Sequence, residues 1–251
     1  MFLIYLTLGL FTPQLRAIAA PKRLVPPVLA LLAFVIGLTL AATTFRFDSD
    51  HMKFSSLSYA IDDDAHQAFW LSCNPEPDEW TAQFFKNDST LTPLPEFLGD
   101  VSQKYLKGPA PNATLSPPKL ELLEDSTTGD LRRLRFHLSS PRKAPRAFMF
   151  AQSPMEVIST EANGMKLLDV SGPWRLSYDQ LPESGVDITL VLKPSAPLKI
   201  RVVDCAYELP EIPGLNPTPQ PDYMAVMPNT LDFNNSPLKS NQTLVAKTFN
   251  F

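Results

Sequence analysis

Val186-Asp187-Ile188-Thr189-Leu190-Val191-Leu192 places an apolar side chain at every second position. That is the period of a β-strand, whose successive side chains point to opposite faces, so one face of this segment is built for a core. Leu134-Arg135-Phe136-His137-Leu138 alternates in the same way, and Leu198-Lys199-Ile200-Arg201-Val202-Val203-Asp204 repeats the pattern. Further strands are expected at residues 56–61, 68–73, 119–123, 147–152, 156–160 and 174–178, with an edge strand at 243–249. Turn-forming residues separate them: Asp62-Asp63-Asp64, Ser126 to Asp130, Ser140 to Pro145, and Asn163-Gly164. Short strands at this spacing, with no helices between them, predict a mainly β fold, an antiparallel β-sandwich of about nine strands. One short helix is expected at 77–85, where Asp78 and Glu79 in the first turn suit the helix dipole. Prolines recur from Glu208 to Pro221, so that stretch is expected to be extended and irregular and to lie on the surface.

Upstream of the strands, residues 24–45 read LVPPVLALLAFVIGLTLAATTF, 22 positions without a charge. At about 1.5 Å per residue this length crosses the hydrocarbon core of a bilayer as one transmembrane helix. Pro26-Pro27 fits its first turn, whose N–H groups lack intrahelical partners. Arg16, Lys22 and Arg23 precede the run, whereas Arg46 follows it alone and is soon offset by Asp48 and Asp50. Basic residues concentrate on the cytoplasmic side, which places the N-terminus inside and residues 46–251 on the extracytoplasmic side: periplasm, lumen or cell exterior. Residues 1–11 are apolar but too short to span. A signal peptide has Ala17-Ile18-Ala19 in its favour and the missing basic start against it, and an interfacial segment is a third alternative. The reading preferred here is the end of an earlier membrane helix, with 12–23 as a basic cytoplasmic loop.

The net charge of −4 and a pI near 5.4 supply no basic surface for phosphates, so nucleic acid is not an expected partner. The chemical inventory is sparse. His51, His66 and His137 form no metal-ligand pairing and read as solvated surface residues. The run Asp62-Asp63-Asp64 lacks the spacing of a calcium loop and reads as a solvated turn. There is no G-x-S-x-G, and nine scattered glycines make no phosphate loop. No catalytic, cofactor-binding or metal residue is assigned. Cys73 and Cys205 are candidates for a disulfide if geometry allows, two independent buried thiols being the other reading. Trp70, Trp80 and Trp174 are candidates for a ligand platform, against the alternative of core packing.

Several segments carry a resemblance. Ser56-Leu-Ser-Tyr-Ala-Ile-Asp62, Ala68-Phe-Trp-Leu-Ser72 and Pro77-Asp-Glu-Trp-Thr-Ala-Gln-Phe84 resemble the region after the last membrane helix of membrane-bound di-zinc exopeptidases. Leu198 to Asp204 and Thr243 to Phe249 are similar to the ends of such chains. These are aminopeptidases similar to the endoplasmic reticulum metallopeptidases and the fungal vacuolar membrane proteases. The resemblance implies a β-rich domain on the same side of the membrane as a zinc peptidase domain, which is missing here together with every zinc ligand. It implies a truncated or split gene product, a non-catalytic anchor and accessory domain whose partners are the bilayer and a peptidase domain in cis or from a neighbouring gene. The alternative is an independent membrane-anchored module that binds glycan or peptide.

Overall fold

The computed structural model describes residues 25–44, 46–99, 102–167, 173–193, 197–226, 238 and 241–251. The segments 1–11 and 12–23 lie outside the described residues. The chain divides into two compact units, Met1–His51 and Met52–Phe251.

The first unit holds helix α1, Val25–Thr44. Leu29, Phe34, Val35, Ile36 and Leu38 are each at least 50% exposed. At about 100° per residue they point to every side, so no stripe marks a face for packing. Among the described residues no helix is long and apolar enough to cross a membrane. The described side chains of α1 run only from Pro27 to Ala41, roughly 15 residues or ~22 Å. The expected transmembrane segment is therefore shown as a helix and not as a span.

The second unit is mainly β, with fifteen strands among the described residues. They are β1 (Lys53–Ser55), β2 (Ser58–Asp62), β3 (Gln67–Ser72), β4 (Thr90–Thr92) and β5 (Tyr105–Ala110). Then come β6 (Lys119–Thr128), β7 (Leu131–Ser139), β8 (Arg146–Ala151), β9 (Val157–Ala162) and β10 (Met165–Lys166). The last are β11 (Arg175–Asp179), β12 (Val186–Leu192), β13 (Lys199–Ala206), β14 (Met224–Val226) and β15 (Thr243–Asn250). An eight-stranded sheet has the order β11-β8-β13-β15-β2-β3-β5-β4, a five-stranded sheet the order β10-β9-β12-β7-β6, and β1 pairs with β14.

The alternation of β7 and β12 decides how the sheets meet. Their antiparallel register sets Leu134 beside Leu190, Phe136 beside Ile188 and Leu138 beside Val186, all essentially buried. These side chains pack against Met149 of β8 and Ile200 and Val202 of β13, which closes the two sheets face to face. The five-stranded sheet covers only the β11-to-β15 end of the larger one. Toward the other end, the same face carries Tyr59, Ile61, Trp70 and Val245, covered by the segments around Phe84 and Ile212. The opposite face, with Phe148, Val203, Leu244 and Ala246, is covered by a short helix α2 (Pro95–Leu98) through Phe97 and Leu98.

Four expectations need correction. The strands number fifteen among the described residues and not about nine, because short ones such as β1, β4, β10 and β14 hold too few residues to show an alternation. Residues 243–249 do not form an edge strand: β15 lies between β13 and β2, fourth of eight. Leu244, Val245 and Ala246 are buried on both faces, and such a run reads as continuous rather than alternating. The sheets are not wholly antiparallel, since β15 pairs with β2, and β1 with β14, in parallel. The helix expected at 77–85 shrinks to a single 3-10 turn, Thr81–Gln83, because one turn gains too few hydrogen bonds to offset nucleation. The α-helix present in the second unit is α2, and Pro95 at its first position gave a signal for it.

On β13, Asp204 is fully buried beside Val202 of the first core and opposite Val245 of the next. Its carboxylate accepts hydrogen bonds from the Ser140 hydroxyl and the Arg142 guanidinium. Burial pushes its carboxyl above the ordinary range, and the charge of Arg142 opposes that rise. Replacing Arg142 by Met leaves a buried carboxylate without its cation, with an expected cost of ~3–5 kcal/mol. The double change Arg142→Met with Asp204→Leu should recover most of it, as read from urea unfolding midpoints. An equal loss in both variants would rule out the ion pair as the reason.

Candidate functional site

Residues 78–84 fold back on β3 because Asp78 closes their first turn. Its Oδ1 accepts hydrogen bonds from the Trp80 and Thr81 amides at 3.0 and 2.7 Å, and its Oδ2 from the Ser55 hydroxyl at 2.6 Å. The Thr81 hydroxyl accepts in turn from the Asp78 amide at 2.8 Å, the reciprocal arrangement of a capped helix start. Partial burial pushes the Asp78 carboxyl up, but donation from Ser55, Thr81 and Trp80 together outweighs it and holds the group below its ordinary value.

This turn delivers an aromatic row. Trp80 lies 5.5 Å from Phe84, Phe84 4.8 Å from Trp70, and Trp70 5.3 Å from Tyr59, centroid to centroid. The spacings are those of edge and tilted aromatic packing. Gly108 of β5, in register with Trp70, leaves room for the segment just after the row: a Cβ there would stand 3.2 Å from Phe85 and 2.5 Å from the Ser89 hydroxyl. Tyr59 adds a polar end, donating to the Pro111 carbonyl at 2.9 Å and accepting from the Ala113 amide at 2.8 Å.

A proline-rich strap arches over the row. At one end the Thr243 hydroxyl donates to the Glu208 carbonyl. At the other, Thr218 donates its amide to Gln83 at 2.7 Å, while its carbonyl accepts from Gln83 at 3.2 Å and from the Trp80 indole at 2.9 Å. Between them Ile212-Pro213-Gly214-Leu215 makes a turn closed at 3.0 Å, with Gly214 at φ +82° where a side chain is disfavoured. Ile212 is turned inward and buried. The strap together with Trp70, Trp80 and Phe84 lines a half-open cavity of about 590 Å³, within the rough 300–1,000 Å³ range of small-ligand sites.

Of the three tryptophans considered as a platform, Trp70 and Trp80 line this cavity and Trp174 does not. Trp174 packs against the core between the two sheets and donates to the Thr160 hydroxyl at 2.9 Å. Phe84, Ile212 and Glu211 join the site without having been singled out by sequence. The recurring prolines showed that the strap is extended but not which surface it covers.

The remaining candidates disperse. Cys73 and Cys205 form no disulfide with each other. Cys205 pairs with Leu244, Leu244 with Ala60 and Ala60 with Phe69. These three ladder steps put Cys205 about 14 Å from Phe69, four residues short of Cys73, beyond the ~7 Å reach of a disulfide. Burial pushes the Cys205 thiol up to about 12. The acidic run is a turn but not merely a solvated one: Arg201 bonds Asp62 and Asp64 at 2.7 and 2.6 Å, and Lys247 bonds Asp63 at 2.9 Å. His137 is likewise not simply solvated, bonding Asp187 across the strand pair at 2.8 Å. His51 lies against Asp48, and the His66 carbonyl accepts from Asn112. Among the described residues no three metal-ligating side chains converge, and these histidines, each in a separate place, do not fit the zinc that the resemblance implies for a peptidase domain.

No protein family, curated protein or solved structure matches the chain.

Replacing Asp78 by Ala removes the cap at an expected cost of about 1–2 kcal/mol. A carboxyl whose pKa is lower folded than unfolded contributes fully above its unfolded value, about 4, and loses that contribution as pH falls through its folded value. Wild-type stability should therefore fall more steeply than that of Asp78→Ala between about pH 5 and pH 3. Parallel slopes in denaturant titrations would refute the assignment.

Proposed function

We propose that the chain is a membrane-tethered, non-catalytic β-sandwich accessory module of a zinc metallopeptidase of the aminopeptidase type. The peptidase domain is supplied in cis or by a neighbouring gene. The observation that carries this reading is that the five resembling segments form one patch. Residues 198–204, 243–249, 56–62 and 68–72 lie on β13, β15, β2 and β3, consecutive in the eight-stranded sheet. Residues 77–84 pack on them through Phe84 and Trp70. Segments that share one packing surface are constrained together, so motifs that are short one by one act as a unit. The tether is supported by α1, apolar on every side and exposed, in a run of 22 uncharged residues. Basic residues before the run support a cytoplasmic N-terminus and an extracytoplasmic β-domain.

A second reading, an independent membrane-anchored module that binds glycan or peptide, is favoured by the cavity at Trp70 and Trp80. The two readings part in one experiment. Under the first, the chain stays in the membrane pellet after alkaline extraction, shows no aminopeptidase activity alone, and co-purifies with a zinc peptidase domain expressed beside it. Release by alkali would remove the tether; hydrolysis by the chain alone, or failure to associate with the peptidase, would remove the accessory role.

A further inference from the structure

We propose that the two-stranded ribbon of β1 and β14 rests one face on the bilayer surface, with Met52 and Phe54 entering the boundary between headgroups and acyl chains. The inference rests on the membrane tether proposed above. Successive side chains of β1 point to opposite faces. On one face Lys53 pairs with Glu79 and the Ser55 hydroxyl donates to Asp78 at 2.6 Å, so polar residues hold the ribbon to the capped turn. Phe54 must then point the other way, and Met52, two positions before it, falls on the same side by the alternation. Phe54 is 41% and Met52 45% exposed, and the register partner of Phe54 is Ala225, too small to cover the ring.

Chain length says what covers this face. Met52 lies seven residues beyond Phe45, the end of the uncharged run, and extended backbone of that length reaches at most about 25 Å. Because β1 is the first strand of its unit, the chain itself carries this face next to the bilayer. A second aromatic stands at the same end of the large sheet. Ala206, the last residue of β13, pairs with Thr243, and Thr243 pairs with Tyr59 near the start of β2, the strand that β1 leads into. Tyr207 follows Ala206 and is 52% exposed. The other end of β2 runs into Asp62, Asp63 and Asp64 instead. Aromatic side chains collect at the headgroup level of a bilayer, where the ring leaves water and a tyrosine hydroxyl keeps it. Glu208, next to Tyr207, and Asp222, just before β14, are exposed acids, so the surface that this end fits is zwitterionic and not anionic.

The test is carbene labelling of the full chain in phosphatidylcholine vesicles whose lipid carries a diazirine near the headgroup end of one acyl chain, read residue by residue by mass spectrometry. Label is expected on α1, at residues 52–54 and at Tyr207, with less on the polar stretch 46–51 between them. Met52→Ser combined with Phe54→Ser, checked by near-UV circular dichroism, should lower the label at Tyr207 several-fold and leave that on α1 unchanged. Label on α1 alone, or label that fades steadily from residue 46 to 54 with none at Tyr207, would overturn the inference and leave the tether standing. An undiminished Tyr207 signal in the double variant would overturn it as well. Absence of label from α1 would remove the tether itself, and this contact with it.

Discussion

Strand β15 enters the large sheet between β13 and β2, and every core of the second unit touches it. Phe249 packs against the core between the sheets, Leu244 and Ala246 belong to the core under α2, and Val245 belongs to the core under the strap. Consecutive side chains of one strand thus serve opposite faces, and the sheet is continuous only because this strand fills its middle. Its pairing with β2 joins the last strand of the chain to one near the start of the domain, with the bonded residues Asp63 and Lys247 184 positions apart. Closing so long a loop costs chain entropy before any contact forms, and the burial of Leu244, Val245 and Ala246 on both faces offsets that cost.

Charge guards the same seam. Arg201 on β13 is 2% exposed and reaches across β15 to Asp62 and Asp64, to the Thr248 hydroxyl at 3.0 Å and to the Glu96 carbonyl of α2 at 3.0 Å. Asp64 also accepts from the Thr248 amide at 2.9 Å. Two nitrogens of the Arg201 guanidinium donate hydrogen bonds and the third faces Asp62 as an ion pair only, and these contacts link the turn after β2 to β13, β15 and α2 together.

The candidate site follows from this placement. Thr243, the first residue of β15, holds the start of the strap through Glu208, while Asp78 sets the turn that presents Trp80 and Gln83 to its far end. The strap's span is therefore dictated by the sheet beneath it. Prolines and the Gly214 turn keep the strap irregular, so Ile212 packs onto Trp70 and Phe84 while a half-open cavity remains between strap and aromatic residues. Its aromatic floor is at the same time core for β2 and β3.

Local pattern alone identified β7, β12 and β13, because alternation is a property of neighbours along the chain and each needs only one buried face. It also identified the apolar helix, the proline-rich strap and the turn at Asp62 to Asp64, all of which depend on composition within a few residues. The central position of β15 was not legible: a strand buried on both faces has no alternation to distinguish centre from edge. Nor could spacing tell that Trp70 and Trp80 share a cavity while Trp174 does not, or that Glu211 stands at its rim. Those relations join residues from distant parts of the chain, and they exist only once the packing of β15 against β2 has set the sheet on which the turn and the strap both rest.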